Sequence, residues 1–323
     1  AAPGGKSTLL QSLLTPDSLL VVNEVISARN KVLRQNMTRW GGDNHIVTQS
    51  DPAVFSKLPN FFDVILVDAP CSGEGMLRKE PAALAEWSEQ NVNLCAARQK
   101  RILADVVPAL APGGILIYST CTFSPAENEE NLAWLKKETN LMPLPIEHPS
   151  EWNIESLDSL TPGYRFYPHK VHGEGFFLAA FKQQGDSEKQ RFRKSSPRGR
   201  QLDKATLEDS KWLSNPGRYL FLTREQHRIA FPSSIYHDYL DVSKALRITQ
   251  SGLNLGKVYH GKLKPSPELA LSQHVDHDIP RIDVTHEAAL DYLAHEGLNQ
   301  WTKIEPDTYL VTFAGFGLGW LNA

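Results

Sequence analysis

Two cysteines in this sequence stand where a thiol can do covalent work. Asp68-Ala69-Pro70-Cys71-Ser72-Gly73 follows directly on the apolar run Val64 to Val67, and Ser119-Thr120-Cys121-Thr122 closes the run Ile115 to Ser119. Short apolar runs bounded by polar or turn residues are the mark of buried parallel strands. Each thiol is therefore expected at the carboxyl end of a strand. Ligands of open α/β sheets bind at that edge, and adjacent strands lie only about 4.8 Å apart, so both sulfurs are expected to face one pocket.

A reduced thiol at such an edge offers nucleophilic chemistry: a thiolate adds to an electrophilic carbon and leaves again once a base has removed a proton. A redox couple or half of a zinc site fits poorly, since 50 residues separate the two cysteines and no Cys-x-x-Cys occurs. Spacing alone does not order the two roles. Cys95 falls on the stripe Leu94, Cys95, Ile102, Leu103 and Val106 of a helix predicted over Asn91 to Leu110, and reads as a small buried hydrophobe. An odd total of 3 cysteines without a signal peptide points to a reducing compartment, and the cytoplasm is the expected location.

A second constellation opens the chain. Gly4 and Gly5 precede a helix and let backbone N–H groups approach an anionic or polar ligand at the positive end of its dipole. Gly5-Lys6-Ser7-Thr8 also ends as a P-loop does, which keeps a nucleotide hydrolase open as a rival. Against it stands Glu24, which ends Leu19 to Asn23, where nucleotide-type folds place a carboxylate on ribose hydroxyls. Asp51, just past Ile46 to Thr48, is similarly placed for an adenine edge. Either acid alone reads as readily as a helix cap or a solvated charge; their recurrence at the ends of consecutive strands favours a ligand.

The elements that must position these residues alternate. Helices are expected over Ser27 to Trp40 and Asn91 to Leu110, with Pro112-Gly113-Gly114 ending the second and turning the chain into the next strand. After Phe181 the composition shifts: Lys182 to Lys204 carries 8 Lys and Arg against 3 acids, and reads as a basic connector, solvated or phosphate-contacting. From about residue 205 the pattern is short and turn-rich, with strands over Tyr219 to Leu222, Leu253 to Tyr259 and Thr308 to Phe313 and a helix near His286 to His295, as in a small α+β module. At 323 residues two domains are expected, and 41% hydrophobic with 22% charged residues excludes a disordered chain. No apolar run approaches the roughly 18 residues of a membrane span. A net charge of -3 leaves nucleic-acid binding to local surfaces. The histidines His260, His274, His277, His286 and His295 lack ligand spacing, and no metal is expected.

Ala1 to Ser7, Asp68 to Gly73 and Ser119 to Thr122 resemble the cofactor loop and the two cysteine motifs of the Sun/Nop-type RNA (cytosine-5) methyltransferases. The likeness extends to Gly75 to Lys79, Pro125-Ala126-Glu127-Asn128-Glu129 and Gly173-Glu174-Gly175-Phe176-Phe177; Gly252 to Gly256 and Gly317 to Trp320 resemble the tail of the RsmF-type subgroup. The resemblance implies an α/β fold with a Rossmann-like S-adenosylmethionine-dependent methyltransferase sheet, its first strand missing, plus a small α+β PUA-like C-terminal domain. The implied domains are a catalytic domain over 1–182, a basic linker over 183–207 and an RNA-binding module over 208–323.

By the same resemblance Cys121 is the nucleophile, Cys71 helps release product, and Asp68 with the Pro70 carbonyl orients the cytosine amino group. S-adenosyl-L-methionine is implied to be held by Ala1, Ala2, Pro3, Gly4, Gly5, Lys6, Glu24, Arg29, Asp51 and Asp68, with Lys6 also near the target base. The implied substrate is small-subunit (16S) ribosomal RNA, free or in the subunit, with transfer RNA or a non-catalytic RNA-binding assembly role as alternatives. A thiol suits that reaction because carbon five of cytosine is a poor nucleophile until a thiolate adds to carbon six. Relative to the family, the first strand and an N-terminal region precede Ala1. Loss of that strand is expected to leave two ladder edges unpaired.

Overall fold

The computed structural model describes residues 1–79, 84, 87–157, 162–185, 207–296 and 308–322. In chain order the first elements are α1 (Gly5–Leu13), β1 (Leu20–Asn23), α2 (Ser27–Trp40), β2 (His45–Thr48), β3 (Phe62–Asp68), α3 (Glu89–Val106), β4 (Leu110–Thr120) and α4 (Glu129–Glu138). Strands β5 (Leu141–Pro143), β6 (Glu155–Ser156), β7 (Tyr164–Phe166) and β8 (Phe176–Gln183) follow. Beyond them lie β9 (Tyr219–Arg224), β10 (His227–Pro232), β11 (Ile248–Ser251), β12 (Leu253–Tyr259), β13 (Lys262–Pro265), β14 (Arg281–Asp283), β15 (Thr308–Phe313) and β16 (Phe316–Asn322). Packing divides the chain into one unit of Ala1–Ser50 with Ser195–Ala323 and another of Asp51–Lys194. Most of the basic stretch Lys182 to Lys204 lies outside the described residues.

In the first unit β1 and β2 pair in parallel, Leu20 opposite His45 through Asn23 opposite Thr48. Leu33 and Met37, four apart on α2, are fully buried against Val22 and Val47, so one helical stripe covers the two-stranded ladder. Strand β11 adds antiparallel to the free edge of β2, with Ile248 opposite Thr48 and Ser251 opposite Ile46. The later strands form an antiparallel sheet β13-β12-β10-β9 and a three-stranded sheet β14-β15-β16, around a core that includes Trp212, Phe221, Leu255, Leu269 and Leu310.

The second unit carries a parallel pair of its own, β3 with β4, extended by antiparallel β8, β7 and β6. Its core includes Leu103, Leu110, Leu116, Tyr118, Leu132, Phe177 and Phe181. Helix α3 starts where Ser88 accepts the Asn91 N–H at 3.1 Å. It ends earlier than its sequence pattern implies. Pro108 cannot continue the hydrogen-bond ladder, and the chain passes through a 3-10 turn (Val107–Ala109) into β4 at Leu110. Pro112-Gly113-Gly114 is therefore not the helix stop but an irregularity inside β4: Leu110 pairs with Phe62, and pairing resumes at Ile115 with Val64. Gly113 takes a φ of 73° there.

The parallel pairings are β1 with β2, β3 with β4 and β14 with β15. Among the described strands β1 and β3 each have one neighbour. Val64 of β3 is 51% exposed, unusual for a parallel strand, whose faces are ordinarily both covered.

Candidate active site

Strands β3 and β4 run side by side, with Asp68 opposite Ser119 at their carboxyl ends. The Ser119 hydroxyl donates to Asp68 Oδ1 at 3.0 Å, and the Ala69 N–H donates to the Ser119 carbonyl at 2.9 Å. The two chains are thereby still in register when they leave the sheet. Two residues further along each, Cys71 Sγ and Cys121 Sγ come within 2.9 Å, and the Cys121 N–H points at Cys71 Sγ from 3.3 Å. Neither cysteine is in a disulfide, and both are half-buried. The hydrogen bond with Cys121, then burial, pushes the Cys71 thiol well above its ordinary range, so Cys71 keeps its proton.

A buried polar network backs this pair. Glu127 is fully buried; its carboxylate accepts the Ser72 N–H at 3.0 Å and Gln99 Nε2 at 2.7 Å. Gln99 Nε2 also donates to the Pro70 carbonyl at 2.9 Å, so residues on both sides of Cys71 are held from behind. Gln99 Oε1 accepts from Tyr118 at 3.0 Å and from Asn131 at 2.8 Å. Asn131 also donates to the Glu127 carbonyl at 2.8 Å, and the single Tyr118 hydroxyl hydrogen is shared between Gln99 Oε1 and that carbonyl, 2.6 Å away. A network of this kind narrows the choice of geometry, because each lost partner strands another buried polar group; Asn131 Oδ1 is left without a hydrogen-bond partner.

In front, Glu74 ties the loops together: Oε2 accepts the Phe123 N–H at 2.9 Å and the Thr122 hydroxyl at 3.1 Å, and Oε1 accepts from Trp87 at 2.8 Å. The Gly75 N–H donates to the Cys121 carbonyl at 2.8 Å. A Cβ on Gly75 would meet the Gly175 carbonyl oxygen at 2.4 Å, so only glycine allows the hairpin before β8 to press on the first cysteine loop. Arg165, buried, donates to the Phe123 carbonyl at 2.7 Å and pairs with Glu129.

The glycine turn belongs to the other unit. Gly4 has a φ of 116° and caps α1, and nothing lies within 4 Å of where a Gly5 Cβ would sit. Glu24 is buried and accepts the Ala2 N–H and the Ile26 N–H at 3.1 Å each. Burial opposes its charge, while the Ile26 N–H and the Ala2 N–H favour it. Arg29 donates to the Ala2 carbonyl at 2.8 Å and lies 3.6 Å from Glu24. Lys6 is exposed in the first turn of α1, directly after Pro3-Gly4-Gly5. An uncovered helix start beside a fixed carboxylate suits a ligand with hydroxyls and a polar or anionic group.

The structure thus brings together Asp68, Cys71 and Cys121, and separately Ala1, Ala2, Glu24 and Arg29. Asp51 sits in the second unit, exposed, and its Oδ1 accepts the Ala53 N–H at 3.0 Å as the cap of a 3-10 turn. Gln99, Tyr118 and Asn131 escaped the sequence reading. A signal for Gln99 existed: it lies on the same buried stripe of α3 as Val92, Cys95, Ala96, Leu103 and Val106, where a polar residue requires a partner. Cys95 itself is buried, as that stripe implied.

Parallel strands crossed by helices, a glycine turn opening the first helix and a strand-end carboxylate define an α/β protein of the methyltransferase fold class. The chain belongs to the 16S rRNA methyltransferase RsmB/F family, whose model matches residues 1–182. It is 38% identical over 196 residues to the ribosomal RNA small subunit methyltransferase F of Pectobacterium atrosepticum, covering 57% of this chain and 39% of that protein. The protein of that name from Shewanella loihica is 31% identical over 341 residues, covering 99% of this chain and 67% of the relative. Among solved structures, NSun6 from Pyrococcus horikoshii with SFG matches at a TM-score of 0.51 and 30% identity, over 58% of this chain and 47% of that one. The chain spans about two fifths of the first relative's length.

Proposed function

We propose that this chain is part of an S-adenosylmethionine-dependent methyltransferase acting on carbon five of a cytosine in small-subunit ribosomal RNA. The observation that carries the reading is the 2.9 Å approach of Cys71 and Cys121 at the ends of adjacent parallel strands. Residues 1–182 are the catalytic part and 208–323 an RNA-binding module with a PUA-like fold. The cytoplasm is the proposed site of action.

When bound, S-adenosylmethionine supplies a sulfonium methyl group. The glycine turn Ala1 to Lys6 with Glu24 and Arg29 would hold it, and Asp51 and Asp68 are the further proposed contacts. The exposed start of α1 and the fixed Glu24 carboxylate fit such a group. Cys121, as thiolate, adds to carbon six of the ring, which makes carbon five nucleophilic toward the methyl. Cys71 then takes the proton from carbon five, carbon six releases the Cys121 sulfur, and the aromatic ring is restored.

The 2.9 Å contact supports a division of roles, because two sulfurs that close can share one proton, one acting as thiolate while the other holds a thiol. The hydrogen bond and the charge that raise the Cys71 thiol both come from the Cys121 sulfur. Once that sulfur is bonded to carbon, both are gone, Cys71 loses its proton to solvent more readily, and the resulting thiolate is a base beside the adduct.

The test is methyl transfer in vitro with the complete protein, labelled S-adenosylmethionine and small-subunit ribosomal RNA, read by bisulfite mapping. Label at carbon five of a cytosine is expected. Label confined to transfer RNA would move the substrate within the reading; binding of ATP-Mg in place of S-adenosylmethionine would sink it.

A further inference from the structure

The antiparallel sheet β13-β12-β10-β9 carries an arrangement that neither the thiols nor the glycine turn uses. Directly opposed residues of antiparallel strands point to the same face. Arg224 is opposite His227, His227 opposite Lys257, and Lys257 opposite Lys264, so one register row crosses all four strands with a basic residue at every position. The next row outward pairs Tyr259 with Lys262. Lys257 Nζ lies 5.0 Å from the centre of the Tyr259 ring, which places the two rows on the same face.

The opposite face behaves differently. Arg228, the neighbour of His227, is paired to the buried Asp209 at 3.2 Å, and Leu263 packs into the core beside Leu255. A β-bulge between Arg228 and Ile229, opposite Gly256 and Asn254, lets Leu255 face the core while Lys257 faces out. No acid occupies either basic row; among the described residues Glu225 lies in the β9–β10 turn, Asp209 is paired with Arg228 on the opposite face, and Glu268 is 3.5 Å from the Asn254 amide. Arg224, Tyr259, Lys262 and Lys264 are exposed.

We infer that this face binds single-stranded RNA, with the basic row on the sugar-phosphate backbone and Tyr259 stacking on a base. The inference rests on the reading of an RNA substrate and deepens it. Three inter-strand gaps of about 4.8 Å give a row about 14 Å long, enough for roughly four charges at about 3.4 Å each along a stacked strand. An aromatic ring beside lysines is the combination that grips single strands, where bases are free to stack. A protein partner would need acids to match; a backbone of phosphates supplies them at regular spacing.

The test is RNA binding by the complete protein carrying Lys257→Ala, Lys262→Ala and Lys264→Ala together, and separately Tyr259→Ala, measured by fluorescence anisotropy at several salt concentrations. The triple variant is expected to bind a single-stranded oligonucleotide about tenfold more weakly or worse, with the salt slope reduced by roughly 2, at about 0.7 per lost phosphate contact. Tyr259→Ala is expected to weaken single-strand binding while sparing a duplex of equal length. Unchanged affinity in variants that melt like the parent overturns the inference, and so does equal loss on single strands and duplex in Tyr259→Ala. If the parent methylates RNA and the triple variant binds normally, this surface is refuted and the catalytic reading stands. If the variant loses RNA while the parent transfers no methyl group, the surface stands and the catalytic reading falls.

Discussion

The sulfurs of Cys71 and Cys121 lie 2.9 Å apart although 50 residues separate them in the chain. A pair so close divides the chemistry between its members, and single substitutions separate the roles. In the complete enzyme Cys121→Ala is expected to be inactive and to form no RNA adduct. Cys71→Ala is expected to add to the base and stall, accumulating a covalent RNA complex that survives a denaturing gel. The reverse pattern would exchange the assignments.

Glu127 is expected to act on Cys71 at a distance. Its carboxylate holds Ser72 from one side and, through Gln99, Pro70 from the other. Glu127→Ala would leave buried donors unpaired, costing about 1–3 kcal/mol for each group left unsatisfied. Beyond a lower melting temperature, the gel readout should move toward that of Cys71→Ala, with slow release of the adduct. A variant that melts lower yet releases product at the parent rate would confine Glu127 to a structural role.

His45 gives the first unit a pH dependence. Burial, only partly offset by Asp43 and the Gly42 backbone, lowers its pKa from 6.5 to about 4, so the folded imidazole stays neutral where the unfolded one takes a proton. The unfolded chain binds more protons below 6.5, and stability should fall as pH drops from 6.5 toward 4, by about 1.4 kcal/mol per pH unit and about 3 kcal/mol in all. Asp43 is held below its ordinary 3.8, where burial is outweighed by His274, Tyr219 and Arg218, so its contribution is lost only under more acid conditions. Melting curves between pH 4 and 7 should lose most of this slope in His45→Gln; an unchanged slope would rule out His45 as the source.

The free edges of β1 and β3 bear on handling the protein. An open strand edge presents unpaired N–H and C=O groups, and among the described strands the edge of β3, beside the half-exposed Val64, invites pairing with other chains. Residues 1–323 expressed alone are expected to aggregate or to bind S-adenosylmethionine poorly. A cooperative melt of a monodisperse sample with tight cofactor binding would contradict this.

Much of the site is written locally. The strands leading to Asp68 and Ser119 are apolar runs with turn residues after them, and the cysteines follow within a few positions, so strand, edge and thiol are legible together. Helix α2 has the bounds its periodicity implies, Ser27–Trp40. The bounds of α3 and β4 did not follow, because Pro108 stops a helix whose apolar spacing continues, and pairing with Phe62 draws Leu110 into the strand. Asp51 reads the same in sequence whether it caps a turn or contacts a ligand, and here its carboxylate caps one.

By itself the sequence determined the order of β1 to β4 and the helices between them, the two cysteine motifs and the family, since each is carried by residues that are neighbours in the chain. Tertiary structure alone decided that β11 pairs with β2 across some 200 residues, that Gln99 and Glu127 grip the loop of Cys71, and that four basic residues from four strands form one row. Periodicity records which face of an element is buried. Partners and register depend on which elements meet, and that is settled by packing and by the requirement that every buried polar group find a partner.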